Sequence, residues 1–447
     1  MSAGSLTTAR AALSRDRGPL RLIVVFAITQ TVSYGAMIQA FTVLLLPMSD
    51  ALGASRTAIA AAATISTLVG ALAAVPVGRL LDRYGGRVLM AAGSGVGVIA
   101  VLLWSQVQNL AQLYVAFALI GVSLAMSTYE AAFAVLVVAA DPRHRDNAII
   151  AVTMICGLAT SFYYFLVGHL DARFGWRTTL VLLAVELAVI AVPAHLWAVP
   201  GRAAHLGRIA TQPGVSEGGA LRDHRFWLLV LAFVAQSAST SAFLTMMVTY
   251  FRDAGFAATT AATLPITIGV AQIGSRLALA PLARRYGMTG VTAVSFAFQG
   301  AGLLALPLAG TSLPWTLVCV ISFGLGYGTS VVARPSIVAD SFGVARFAGI
   351  AALMTVPIAL SRAGAPLAAA WLRDWRFLVI MGAAALIAAL ALLPLSRRRP
   401  AVAELPLAAP ESPATGTTPV FIIGSTGLAA QDETAAACAP EPTSGVR

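Results

Sequence analysis

Five charged side chains fall inside long apolar segments of this sequence: Glu130, Glu186, Arg276, Arg334 and Arg362. A charge at the centre of a bilayer costs about 3 kcal/mol even on the most lenient scale, so such residues are functional candidates by default. Two chemistries are open to them. An arginine presents a planar fork of donors that matches a carboxylate. A carboxyl desolvated by burial can carry a proton.

Arg276 and Arg362 are the pair best suited to hold an anion. Both lie in the second half of the chain, more than a turn from either end of their segments, and no acid of that half is buried with them. Such cations need an anion from elsewhere, and a substrate carboxylate fits. The alternatives for Arg276 are an ion pair with Asp82 or Glu130 across the halves, or a side chain that snorkels to the headgroups. Glu130 follows Ser127, Thr128 and Tyr129 and has two readings, a proton carrier or a carboxyl hydrogen-bonded for structure alone. Glu186 is expected to face a neighbouring helix or lipid. Tyr34 and Gln39 in the first segment, and Gln236 and Tyr250 in the seventh, would line a path if they face inward.

A second group of charges sits between apolar segments, in Pro76-Val77-Gly78-Arg79-Leu80-Leu81-Asp82-Arg83-Tyr84-Gly85-Gly86-Arg87. Residues 79 to 87 are expected to form a tight turn in water or at the headgroups, with Gly85 and Gly86 reversing the chain. Asp82 can pair with an arginine or cap a helix N-terminus. Gly78, Asp82, Arg83, Gly85 and Arg87 therefore read as part of a gate latch. Arg334 and Asp340 read as partners in a similar latch in the other half, and Asp141, after the fourth segment, is the first-half counterpart of Asp340 in the same gate.

Composition dictates what must position these residues. The 447 residues are 58% hydrophobic and 11% charged, with a mean hydropathy of +0.84. A soluble protein carries about 25% charged residues, so the chain is a polytopic membrane protein. Spans are expected near 20–46, 55–78, 88–107, 110–139, 147–169, 177–199, 226–250, 257–282, 288–309, 312–335, 346–371 and 376–396, each long enough to cross a bilayer. The fold class is all-α, with twelve transmembrane helices in two six-helix halves. Segment 1–19 is polar and Arg-bearing, with no cleavable signal expected. The bundles are 20–199 and 226–396, joined by a Gly- and Pro-containing linker over 200–225. The tail 397–447, rich in Pro, Ala, Thr and Ser, reads as disordered.

The formal charge of +11 is carried by arginine alone, because the sequence contains no lysine. Nineteen arginines fall in the segments expected inside and six in those expected outside, from Arg56 to Arg376. The asymmetry places both termini in the cytoplasm, in a plasma or inner membrane, and makes topology rather than nucleic acid the explanation of the charge. Asp82-Arg83-Tyr84-Gly85 recurs as Arg284-Arg285-Tyr286-Gly287 about 200 residues later, and Gly175-Trp176-Arg177 as Asp374-Trp375-Arg376, which predicts two halves in parallel duplication.

No P-loop or His/Cys cluster occurs, so an enzyme, a cofactor and a metal are not expected. Cys156, Cys319 and Cys438 are too far apart for either disulfide or metal spacing and read as packing or inert thiols. His169 and His195 read as interfacial. The expected partners are lipid, a small-molecule substrate and protons, in a monomer.

The pattern Gly78-x-Leu80-x-Asp82-Arg83-x-Gly85-x-Arg87 resembles the loop between helices 2 and 3 of the major facilitator superfamily. Within it, residues 20–396 look most like the branch of monocarboxylate transporters and oxalate/formate antiporters. That likeness rests on Tyr34-Gly35 through Leu52-Gly53-Ala54-Ser55-Arg56, on Tyr250-Phe251-Arg252-Asp253-Ala254-Gly255-Phe256, on Gly274-Ser275-Arg276 and on Ala363-Gly364-Ala365-Pro366. The resemblance implies alternating access by a secondary transporter of a small mono- or dicarboxylate, by proton symport or anion exchange. It implies that Arg276 and Arg362 bind the carboxylate. The acidic residue many animal members carry at the start of helix 1 is missing. The helix 4 arginine and helix 5 Gly-Pro motifs of drug/proton antiporters are missing too. Drug efflux is the alternative, with a transporter-like sensor acting through 397–447 behind it.

Overall fold

A computed structural model describes residues 20–141, 144–210, 214–372 and 375–396. The segments 1–19 and 397–447, the latter with Cys438, and Asp374 of the duplicated motif lie outside the described residues, as do Arg143 and Arg373 of the arginine count and Pro213 of the linker.

Helices α1 to α4 are Leu20–Leu52, Arg56–Tyr84, Gly86–Ser105 and Leu110–Ala139. The next apolar run, Arg145–Ala198, is 54 residues long and would reach about 81 Å as one straight helix, far beyond a bilayer of about 30 Å. It breaks at Gly175, whose φ of 75° and ψ of 160° turn the chain, giving α5 (145–174) and α6 (176–198). Then follow α7 (His224–Asp253), α8 (Ala258–Tyr286), α9 (Met288–Ala305), α10 (Leu313–Phe342), α11 (Phe347–Leu372) and α12 (Arg376–Ser396). Eleven continuous runs thus contain twelve spans, the two six-helix halves of the expected fold class. Helices suit this sequence because each satisfies its own backbone where lipid offers no partner.

The expected turn over 79–87 is shorter than its charges suggested. α2 stays helical through Tyr84 and α3 starts at Gly86, so Gly85 alone, at φ 80° and ψ 170°, makes the reversal. Charges do not end a helix that runs past the headgroups; only the backbone conformation does. Gly287, at φ 81° and ψ 145°, makes the same reversal between α8 and α9, so the duplicated loop keeps its geometry although Arg284 replaces the acid. A Cβ on Gly85 would also meet Arg202 Cα and His205 Cβ at 3.3 Å. Gly85→Ala should therefore cost about 1–3 kcal/mol, seen as a lower thermal midpoint in detergent.

Small residues let helices close on one another. A Cβ on Gly121 of α4 would lie 2.3 Å from the Ser66 carbonyl oxygen of α2, so only glycine permits this approach. Across the halves α2 packs on α11, and α5 on α8 and α10.

Among the described residues the buried side chains form three cores. One draws on both halves, joining Leu81, Leu136 and Ile149 to Phe226, Val332 and Phe347 at the end where α2 meets the linker. Away from it the halves have separate cores. Phe41, Trp104 and Phe117 belong to the first, with the Trp104 and Phe117 rings 4.9 Å apart. Phe243, Phe251 and Phe323 belong to the second, with the Phe243 and Phe323 rings 4.5 Å apart. The halves are thus closed at the linker face and divided towards the opposite face.

The linker contains two short helices, Arg202–Ala210 and Glu217–Arg222, and it ties the closed face together. Val215 N–H donates to the Phe342 carbonyl at 3.0 Å, and Arg79 Nε donates to Glu217 at 3.0 Å. His205 is buried against Gly85, and its Nε2 has no hydrogen-bond partner. Burial, with Arg208 nearby, lowers the pKa of His205 below the ordinary imidazole value. The docked linker favours the neutral ring, so docking is complete above the unfolded pKa of about 6.5 and weakens as pH falls below it. Hydrogen-exchange protection of 202–210, corrected for intrinsic rates, should drop from pH 7.5 to pH 5.5 in the wild type. In His205→Gln that pH dependence should vanish.

Candidate functional site

A cavity of about 440 Å³ lies between α1 and α4 of the first half and α7, α10 and α11 of the second. One face of α7 supplies much of its wall. Phe233, Gln236, Ser237, Thr240, Ser241 and Leu244 follow the three-and-four spacing that keeps residues on one side of a helix. Ser239 falls on another face, where it accepts a hydrogen bond from Gln299 of α9 at 3.3 Å.

Arg362 reaches the cavity from α11. Its Nε donates to Ser237 Oγ at 3.5 Å, and its backbone carbonyl accepts from Ser241 Oγ at 2.7 Å. Among the described residues no carboxylate lies within 4.0 Å of its guanidinium. Hydroxyls of Ser237, Thr240, Ser330 and Thr355 line the same space. Tyr34 and Tyr129 form its aromatic edge, with ring centroids 4.7 Å apart, and Gln236 donates to Thr240 Oγ1 at 2.9 Å.

The cavity also holds an ion pair. Glu130 of α4 and Arg334 of α10 are joined by a hydrogen bond, at side-chain exposures of 33% and 20%. Backbone geometry places the acid. α4 breaks at Thr128, with φ −104° and ψ −157°, so Glu130 falls in the first turn of a new helical stretch, Tyr129–Ala139. A helix N-terminus favours a negative charge there.

Several expected roles change. Arg334 does not latch to Asp340; it faces the cavity and neutralises Glu130. Asp340 instead pairs with Arg145 of α5, a residue read from the sequence only as topological charge. Arg276 does not line the cavity with Arg362. It lies between the halves and donates to the carbonyls of Thr153 at 3.2 Å and Gly328 at 3.4 Å and to Gln272 Oε1 at 3.3 Å. It makes no ion pair with Asp82 or Glu130. Tyr250 lines a separate space of about 690 Å³ with Asp253, Trp375 and Phe377. Gln39 ends a π-helical turn, Gly35–Gln39, off the cavity wall. Glu186 accepts from Tyr163 Oη at 2.6 Å within the first half. His195 is fully buried, bonded to Ser94 Oγ at 2.9 Å and Thr29 Oγ1 at 3.1 Å, and so is not interfacial.

At the linker face Asp82 accepts from the N–H groups of Ala348 at 3.3 Å and Gly349 at 2.9 Å. It therefore binds the start of α11, not an arginine, and the bond joins the two halves. Arg87 donates to the Val199 carbonyl at 2.7 Å within its own half, and Arg83 stands exposed over Tyr84. Asp141 closes the turn into α5 through its carbonyl, which accepts from His144 and Arg145 at 2.9 Å. A Cβ on Gly78 would lie 2.6 Å from the Ala348 carbonyl oxygen. Gly78→Leu should hold the halves apart here, raising hydrogen exchange at the Ala348 and Gly349 amides at least about tenfold, equal to 1.4 kcal/mol.

The sequence pattern described as Major Facilitator Superfamily matches residues 26–362. No curated protein matches the chain. Among solved structures, a human organic anion transporter is similar at a TM-score of 0.64 and 14% identity, covering 85% of this chain and 99% of that one. The E. coli fucose:proton symporter gives 0.63 and 14%, over 86% and 100%. A proton:xylose symporter gives 0.61 and 14%, over 84% and 95%.

Proposed function

We propose that this chain, which belongs to the Major Facilitator Superfamily and is a multi-pass membrane transporter rather than an enzyme, moves a small organic anion by alternating access. The observation that carries the proposal is Arg362, a guanidinium on the cavity wall with no acid beside it among the described residues. Arg334 on the same wall is neutralised by Glu130, which leaves one positive charge for one carboxylate. The surrounding hydroxyls can donate to the carboxylate oxygens, and Tyr34 and Tyr129 offer an apolar face to a short carbon chain. A monocarboxylate fits this balance better than a dicarboxylate.

The linker face is the cytoplasmic one, with both termini on that side of a plasma or inner membrane, and the conformation is open outward. Substrate neutralises Arg362 and lets the halves close over it. The bonds of Asp82 to Ala348 and Gly349, and of Arg145 to Asp340, then break as the cytoplasmic side opens. Return is driven by a proton or by a second anion, and the carrier works as a monomer.

The test is counterflow of labelled small mono- and dicarboxylates in proteoliposomes, beside a neutral sugar and a lipophilic cation. Saturable carboxylate exchange supports the proposal. Exchange of the cation or sugar alone, in protein that melts cooperatively, overturns it in favour of drug efflux or sugar transport.

A further inference from the structure

On the linker face a cleft of about 680 Å³ lies where the end of α2, the helix Arg202–Ala210 and the loop into α11 meet. Four arginines line it, Arg79, Arg83, Arg202 and Arg346, against two carboxylates, Asp82 and Glu217. Glu217 is paired directly with Arg79 at 3.0 Å, and Asp82 directs its two oxygens at the Ala348 and Gly349 amides, with Arg346 the cation acting on it. Four arginines against two carboxylates leave the cleft positively charged. Among the described residues, no carboxylate lies within 4.0 Å of Arg83, Arg202 or Arg346.

The three remaining cations are gathered, not scattered. Arg83 from α2 and Arg202 from the linker stand over one ring, 5.2 and 5.3 Å from the Tyr84 centroid. Arg346 comes from the opposite half. Like charges brought together repel unless an anion lies among them, and solvent only partly screens them over such distances. Guanidinium forks from three elements converging on a concave space suit a group with several oxygens, which a phosphoryl group offers.

We infer that this cleft binds a phosphoryl anion through Arg83, Arg202 and Arg346. The phosphoryl group belongs either to a soluble polyphosphate or to the headgroup of an anionic phospholipid. The site is separate from the central cavity and does not depend on what that cavity carries. Because Arg83 and Arg346 belong to different halves, the bound anion favours the state closed at the linker face.

The test uses purified full-length protein in a neutral detergent with two probes, radiolabelled pyrophosphate and phosphatidylglycerol in mixed micelles with phosphatidylcholine. The variants are the double substitution Arg83→Gln with Arg202→Gln, and Arg346→Gln. Arg56→Gln, an exposed arginine outside the cleft, is the control. The substituted side chains are exposed, and an unchanged melting midpoint establishes that each variant folds. Saturable pyrophosphate binding, weakened at least tenfold in both cleft variants and unchanged in the control, supports the site with a soluble anion. Enrichment of phosphatidylglycerol alone, lost in the same variants, supports it with a lipid headgroup. If neither probe distinguishes the cleft variants from the wild type and the control, the inference is overturned.

Discussion

Replacing Arg362 with glutamine should sharply reduce carboxylate exchange at low substrate concentration while leaving the protein folded. The guanidinium lies on an accessible wall and no acid depends on it, so its removal strands no buried charge. What is lost is the partner of the substrate. Hydrogen bonds to a charged group contribute about 1.5–3 kcal/mol each, and a bidentate pair lies at the upper end. At 1.4 kcal/mol per factor of ten, substrate affinity should fall about 30- to 150-fold. Arg362→Lys keeps the charge but not the fork, and should recover part of that loss. Titrating binding by tryptophan fluorescence and measuring counterflow separates lost affinity from lost movement. Full affinity in Arg362→Gln would remove the anion site from this cavity.

Arg276→Gln should behave differently, although the sequence made the two arginines look alike. Arg276 donates across the halves to the Thr153 carbonyl, a bond present only while α5 and α8 are in contact. Its loss should shift the balance between the two open states and change the exchange rate, with substrate affinity altered much less. Sequence position could put both arginines deep in their spans, but it could not give the rotation of α8 against α11. That rotation decides which one meets the cavity.

What could be read from the residues was what local physics fixes. Apolar length set the spans, and the glycine of the 79–87 stretch marked where the chain reverses. Pairings across the halves were not legible. Asp82 finds backbone amides more than 260 residues later, and Arg334 finds Glu130 instead of the acid six residues downstream in its own helix. Both depend on how two bundles meet, which no local pattern encodes. The α7 face was within reach of periodicity. Placing Gln236, Ser237, Thr240 and Ser241 on one helical wheel separates them from Ser239; what removes Tyr250 from the cavity is the rise of about 15 Å along the helix from Thr240.

The Glu130–Arg334 pair carries the second large effect. Removing one partner of a buried ion pair costs about 3–5 kcal/mol, and less here because both side chains keep some exposure. Glu130→Gln should therefore lower the melting midpoint, and Glu130→Gln with Arg334→Gln should restore much of it, since neither charge is then left alone. Transport should not follow stability. We propose Glu130 as the proton site of the carrier: neutralising its carboxyl would dissolve the pair that bridges α4 and α10 and so link proton binding to the separation of these helices. Without the carboxyl, neither the single nor the double variant can respond to a proton gradient. Counterflow, which needs no net proton movement, should persist in the double variant, while gradient-driven accumulation should be absent from both. Accumulation that survives Glu130→Gln would move the proton site elsewhere, and the Glu186–Tyr163 pair of the first half would be the next carboxyl to test.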